Sequence, residues 1–419
     1  MIEELIIKNF KLFKEEAHVP LSRINLLTGI NGRGKSTVLQ TLLLMKQSPD
    51  HDRTTNKIIF NGSCIRLGGY KDVKNIESNE NIELSFKYND FFIKYSLKPN
   101  ESDPMVADIE YIESGGCDNK FRLHLQRNGD FFLGELYEND QKSEFNAYLH
   151  DLFISNTILV QKKLEVCEAL KETLNFSKIH YVSADRIGPK LYYQEKSIKD
   201  FPSVGSLGED TINALFHYEN KTVGSGFIDN INRFFHVVTE DIGKTVGLQT
   251  EFWLNKLFDG AKYEIKRVEE ANLLTFGISP DGTFNYYKPT NVGFGYTYIL
   301  PIIVAGLIAK PGEIFIVENP EAHLHPYAQS IVSKFLTLVS LNGVQVIIES
   351  HSEHILNGLR IPVYDKIIPS EYLNILYFDR NLGEKPFIKI PIENDGGIQN
   401  WPSNFFDQST KDLNYLFGL

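Results

Sequence analysis

The chain has 419 residues, 42% hydrophobic and 23% charged, which is long enough for one large domain or two ordinary ones with a sizeable core. No apolar run reaches the roughly 20 residues of a membrane span, and residues 1–7 lack the basic start and long apolar stretch of a signal peptide. Three scattered cysteines (Cys64, Cys117, Cys167) predict a cytoplasmic setting without a disulfide framework, and a net charge of −11 gives no overall footprint for nucleic acid.

The first thirty residues read as a twisted β unit, with strands over 4–10, 15–19 and 24–27. The third strand runs into Gly29-Ile30-Asn31-Gly32-Arg33-Gly34-Lys35-Ser36-Thr37, which fits G-x-x-x-x-G-K-[ST], and residues 36–45 read as a helix. Glycines in such a loop let successive backbone N–H groups curl around a polyphosphate, and the helix N-terminus adds partial positive charge. Lys35 has the reach for the β- and γ-phosphates, and the Ser36 hydroxyl suits Mg²⁺. The expectation is a nucleoside triphosphate held by Asn31, Gly32, Arg33, Gly34, Lys35, Ser36 and Thr37.

Residues 57–136 alternate apolar and polar at period two between Gly, Pro and Asn punctuation, which predicts an antiparallel meander. Over 143–174 the spacing becomes helical, with Leu149, Leu152, Phe153 and Leu159 followed by Leu164, Leu170 and Leu174. A second helical stretch covers 211–257, broken at Gly224-Ser225-Gly226. Its aromatics, Phe216, Phe227, Phe234, Phe235, Phe252 and Trp253, read as core rather than as a docking surface. Lysines such as Lys162-Lys163, Lys256 and Lys262 are too dispersed to define a basic groove, so DNA stays a possible partner that the charge does not support.

The final third returns to buried strands over 313–317, 344–348 and 372–378. Strands alternating with helices predict a largely parallel α/β sheet, assembled from both chain ends around an inserted middle. Ile314-Phe315-Ile316-Val317-Glu318 ends in a carboxylate where such sheets bind ligands, and Glu318 is assigned to Mg²⁺, directly or through water. Val346-Ile347-Ile348-Glu349-Ser350-His351 ends in an imidazole suited to the γ-phosphate or the attacking water. His323, His325, His351 and His354 lie close in sequence, but no cysteine accompanies them and the flanks explain them without zinc. Upstream, Gly293-Phe294-Gly295 opens a helix and offers backbone N–H groups to an anion. The organisation expected is 1–142, an ATPase lobe with phosphate loop and meander; 143–272, a mainly helical insertion; 273–390, a second lobe; and 391–419, a small tail.

Together these segments resemble the ATP-binding-cassette ATPases of the SMC and RecF branch, and more narrowly the overcoming-lysogenization-defect-like AAA ATPases of bacteria. The resemblance rests on Ile7-Lys8-Asn9-Phe10-Lys11-Leu12-Phe13, the phosphate loop, Glu318-Asn319-Pro320-Glu321-Ala322-His323-Leu324-His325-Pro326 and Glu349-Ser350-His351-Ser352. Tyr181-Val182-Ser183-Ala184-Asp185-Arg186-Ile187-Gly188-Pro189 is similar to the family's arginine motif, and residues 400–408 resemble a small C-terminal domain of unknown function. The resemblance implies a P-loop ATPase head using ATP and Mg²⁺. Two such heads would sandwich ATP as a homodimer or a larger homo-oligomer, with Gly293 and Gly295 of one closing on the γ-phosphate held by the other.

It also implies defence against phage or foreign DNA beside a separate effector, a nuclease or toxin. The roughly 70 residues after His351 are too few for the fused Toprim nuclease of some relatives. One departure stands out: Asn319 occupies the place of the usual second acid and cannot act as a base. Either Glu318 or Glu321 takes that work, or turnover is slow. A stand-alone RecF-like DNA-repair ATPase and an ATP-gated scaffold remain the alternatives.

Overall fold

The computed structural model describes residues 1–116, 121–138, 141–155, 176–197, 201–235, 243–283, 285–380 and 385–418. Cys117, Cys167, Lys162-Lys163 and the leucines at 159, 164, 170 and 174 lie outside them. Two compact units divide the chain: Met1–Ser22 with Asn31–Ile179, and Arg23–Ile30 with His180–Leu419.

The first unit is built on an antiparallel sheet. From one edge, Ala17–Pro20 and Ile2–Lys8 are followed by Ile82–Tyr88, Phe91–Pro99, Val106–Gly116, Phe121–Asn128, Phe131–Glu138 and Gln141–Ala147, while Lys57–Ile59 pairs with Val106–Gly116. Period-two patterning places Ile93, Tyr95 and Leu97 in the core, and each hairpin brings the next strand alongside. The helix Lys35–His51 buries Val38, Leu39, Leu42, Leu43, Leu44 and Met45 completely, so it is enclosed on all sides rather than along one stripe. Its Gln47 donates to the Ile59 carbonyl at 2.7 Å and accepts from the Ile65 N–H at 3.0 Å, tying the helix to the start of the meander.

The helix expected from residue 143 is not found over 143–154. Gln141–Ala147 extends the meander against Phe131–Glu138, and Leu149–His150 pairs with Phe153–Ile154. Between them Asp151 and Leu152 sit at φ 55° and 64°, a left-handed pair that no right-handed helix admits. The apolar spacing of Leu149, Leu152 and Phe153 therefore comes from a tight turn that buries all three, not from a helical face.

The second unit centres on a six-stranded sheet in the order Ile179–Val182, Ile314–Glu318, Gln345–Glu349, Ile24–Gly29, Leu373–Phe378 and Ile388–Ile390. The pairings of Ile314–Glu318 with Gln345–Glu349, of that strand with Ile24–Gly29, and of Ile24–Gly29 with Leu373–Phe378 are all parallel. The parallel core thus joins a segment from the N-terminal end of the chain to three from the C-terminal third. Helices Pro326–Leu341 and Glu353–Tyr364 make the crossovers, as parallel pairing demands.

Helices Thr211–Tyr218, Ser225–Phe235 and Val246–Phe258 belong to the same unit, the break falling just ahead of Ser225. Trp253 is fully buried, with Phe227 and Phe335 edge-on to it at centroid distances of 6.4 and 5.0 Å. Phe216, Phe234, Phe235 and Phe252 pack partly buried against this core, so the aromatics serve packing. Strands Lys262–Val268, Leu273–Ser279 and Tyr193–Gln194 form a small separate sheet.

Gly29 ends its strand at φ 119°, and a Cβ there would lie 2.1 Å from the Phe378 carbonyl oxygen. Gly29→Ala is expected to cost about 3 kcal/mol or more, because neither the backbone region nor the facing carbonyl can yield. Gly32→Ala, at φ 72° with nothing within 4 Å, should cost about 1 kcal/mol. Denaturant midpoints of the two variants check the difference.

Candidate functional site

The strand Ile24–Gly29 delivers the chain straight into the G-x-x-x-x-G-K-S loop. Gly29, Gly32 and Gly34 all take positive φ, at 119°, 72° and 106°. The helix Lys35–His51 begins at Gly34 without any side-chain cap and with no acid in its first turn. A capping carboxylate or hydroxyl would normally occupy that end, and Gly34 supplies neither. Gly34 has a second reason to lack a side chain: a Cβ would sit 2.9 Å from the Phe13 ring. Within the loop Lys35 is only 3% exposed, Thr37 is buried, and Asn31, Gly32 and Ser36 are exposed.

In the second unit the sheet register sets Glu318 opposite Glu349, and Glu349 opposite Leu27. Three parallel strands therefore end together, one of them in Gly29. The Glu318 carboxylate accepts from the Tyr181 hydroxyl at 3.0 Å and from the Ala184 N–H at 3.2 Å. Burial pushes its pKa above the ordinary glutamate value, outweighing both hydrogen bonds and the nearby Arg186 charge.

Arg186 is 4% exposed and donates to the carbonyls of Tyr298 (3.3 Å), Glu318 (3.3 Å) and Asn319 (2.5 Å). Burial lowers its pKa to about 10, which leaves it charged at neutral pH. After Glu318 the chain turns sharply, with Asn319 at φ 44° and His323 at φ 61°. The Asn319 N–H donates to the Glu349 carbonyl at 2.8 Å, and Glu321 accepts from the Ser350 hydroxyl and the His351 N–H, each at 2.9 Å.

The helix Phe294–Ile308 is capped by Gly293, again without a side-chain cap. Gly295 faces the His323 carbonyl, where a Cβ would lie 2.9 Å away, so the glycine lets this helix end close on the turn after Glu318. His323 packs edge-on to Tyr298 at a 4.5 Å centroid distance, and His325 caps Pro326–Leu341 by accepting from the Tyr327 N–H at 3.3 Å. Among the described residues, no group of three or more His, Cys, Asp or Glu is placed to hold a metal ion.

The second unit thus brings Glu318, Glu321, His351, Gly293 and Gly295 to one end of its sheet and its neighbouring turns, while Asn31 to Thr37 belong to the first unit. Sequence reasoning gave no role to Tyr181 or Ser350. The one signal for Tyr181 was its place in the segment 181–189 that contains Arg186; Ser350 had only its position beside His351.

The sequence model of the AAA ATPase domain family matches residues 1–356. The chain belongs to that family. A second family, a protein of unknown function (DUF3696), matches residues 368–416 of this AAA ATPase. Among solved structures it is similar to an Smc head bound to the C-winged helix domain of ScpA, at 13% identity, TM-score 0.42 and coverage of 94% of this chain and 98% of that one. An SMC head domain from Thermotoga maritima is similar at 11% identity and TM-score 0.40, with 94% and 99% covered. A third, an Smc head domain with an extended coiled coil bound to the C-terminal domain of ScpA, from Pyrococcus furiosus, gives 12% identity and TM-score 0.42, with 99% of both chains covered. No curated protein matches the sequence. Among the described residues of this ATPase, no helix is long and apolar enough to cross a membrane.

Proposed function

We propose that this AAA ATPase is an ATP-driven switch whose heads associate on ATP and separate after hydrolysis. The observation that carries the reading is the glycine loop with its uncapped, acid-free helix end, a combination built for a polyphosphate. Asn31, Gly32, Arg33, Gly34, Lys35, Ser36 and Thr37 hold the phosphates of ATP. Ser36 would hold Mg²⁺ together with Glu318, directly or through water; a hydroxyl and a carboxylate suit this hard cation, which rarely takes an all-protein cage. Bound Mg²⁺ supplies charge neutralisation at the phosphates. His351 is assigned to the γ-phosphate or the attacking water, and Gly293 and Gly295 to the γ-phosphate held by a second copy.

Turnover is slow on this reading, because Asn319 stands in the place of an acid and cannot act as a base. The biological setting proposed is bacterial defence against phage or foreign DNA, with a separate nuclease or toxin as effector. Support for a partnered rather than DNA-driven machine comes from the net charge of −11, which disfavours a stand-alone repair ATPase.

The test is phosphate release and solution mass measured together with Mg-ATP. The expected result is slow turnover and an ATP-dependent doubling of mass, with turnover lost and the dimer persisting in Glu318→Gln. A mass increase without phosphate release would favour the ATP-gated scaffold, a reading supported by Asn319. Unchanged mass with ATP would overturn the association step.

A further inference from the structure

The carboxylate of Glu321 has both oxygens occupied by one short stretch of chain. Oε2 accepts from the Ser350 hydroxyl at 2.9 Å and Oε1 from the His351 backbone N–H at 2.9 Å. Ser350 is fully buried, and its hydroxyl oxygen also accepts from the Ser352 N–H at 3.1 Å. Ser352 in turn caps the helix Glu353–Tyr364, accepting from the His354 and Ile355 N–H groups at 3.1 and 3.2 Å. A continuous set of hydrogen bonds therefore runs from Glu321 through the His351 loop into the start of a helix.

Glu321 is itself held from behind. Its carbonyl accepts from the Leu324 N–H at 3.1 Å, the Asn319 carbonyl from the Ala322 N–H at 3.1 Å, and Asn319 and His323 are left-handed on either side. This clipped turn fixes the backbone from which the carboxylate extends, and two charge-assisted bonds aim it at the Ser350 hydroxyl and the His351 N–H.

We infer that Glu321 is a positioning residue: it fixes the place of the His351 loop and so sets how well ATP is told from ADP, without meeting the nucleotide itself. The inference rests on the proposed assignment of His351 to the γ-phosphate. It also removes Glu321 from the candidates for general base, since a carboxylate spent on two donors of its own chain is turned away from an attacking water.

The test uses the full chain with Mg²⁺ and measures the affinities for a non-hydrolysable ATP analogue and for ADP. Wild type is compared with Glu321→Ala, Ser350→Ala, His351→Ala and the Glu321→Ala/His351→Ala double variant. Loss of the two bonds is expected to cut the preference for the ATP analogue over ADP about tenfold in Glu321→Ala, with a smaller loss in Ser350→Ala. The double variant should lose no more than His351→Ala alone, because Glu321 acts through that loop.

ADP affinity, and Glu321→Gln with its retained shape and one acceptor, report that the variants are folded. An undiminished preference in Glu321→Ala, or additive losses in the double variant, would overturn the positioning role. A wild type that binds both nucleotides equally would instead overturn the His351 assignment, and the inference with it.

Discussion

Lys35→Ala is expected to lower ATP turnover at least ~100-fold and to abolish the rise in melting temperature that ATP gives the wild type. The lysine follows Gly34 directly and opens the helix Lys35–His51, whose positive dipole end and acid-free first turn favour a polyphosphate, and its ammonium adds a full positive charge at that point. A variant that still shows the ATP-dependent shift would sink the assignment; one that fails to melt cooperatively would make Lys35 a structural residue.

Arg186→Ala should cost about 3 kcal/mol or more in stability and take turnover down with it. The guanidinium serves the carbonyls of Tyr298, Glu318 and Asn319 at 4% exposure. Removing it strands buried acceptors, each worth about 1–3 kcal/mol when left unpaired. Two of these carbonyls flank the peptide on which the Glu318 strand turns, so the loss falls where Glu318 is aimed. Arg186→Lys should recover only part of the stability, because a single ammonium cannot reproduce the planar fork. Denaturant unfolding with phosphate release on the same samples checks both halves. Full turnover in a destabilised Arg186→Ala protein would separate the fold of this corner from its chemistry.

Much of the fold was legible because local rules and tertiary structure agree. The period-two stretches of 57–136 became the meander, and the apolar runs before Glu318 and Glu349 became parallel strands buried on both faces. The exception over 143–154 is instructive. Apolar residues at Leu149, Leu152 and Phe153 suit a helix and a tight turn equally well, and periodicity holds no information about the left-handed conformations of Asp151 and Leu152. Pairing of Gln141–Ala147 with Phe131–Glu138 continued the hairpins and overrode the local pattern.

By itself the sequence determined the phosphate loop, the strand and helix around it, the acid at the end of 314–318 and the aromatic core, since each is a matter of residue type at fixed spacing along a single element. Tertiary structure alone decided what holds those residues. Tyr181 reaches Glu318 across 137 positions, Arg186 crosses 133 to Asn319, and Glu321 meets Ser350 across 29. Such partners depend on strand order and on the direction of each turn. Periodicity reports which face a side chain takes, whereas a hydrogen bond depends on what the fold has brought against that face.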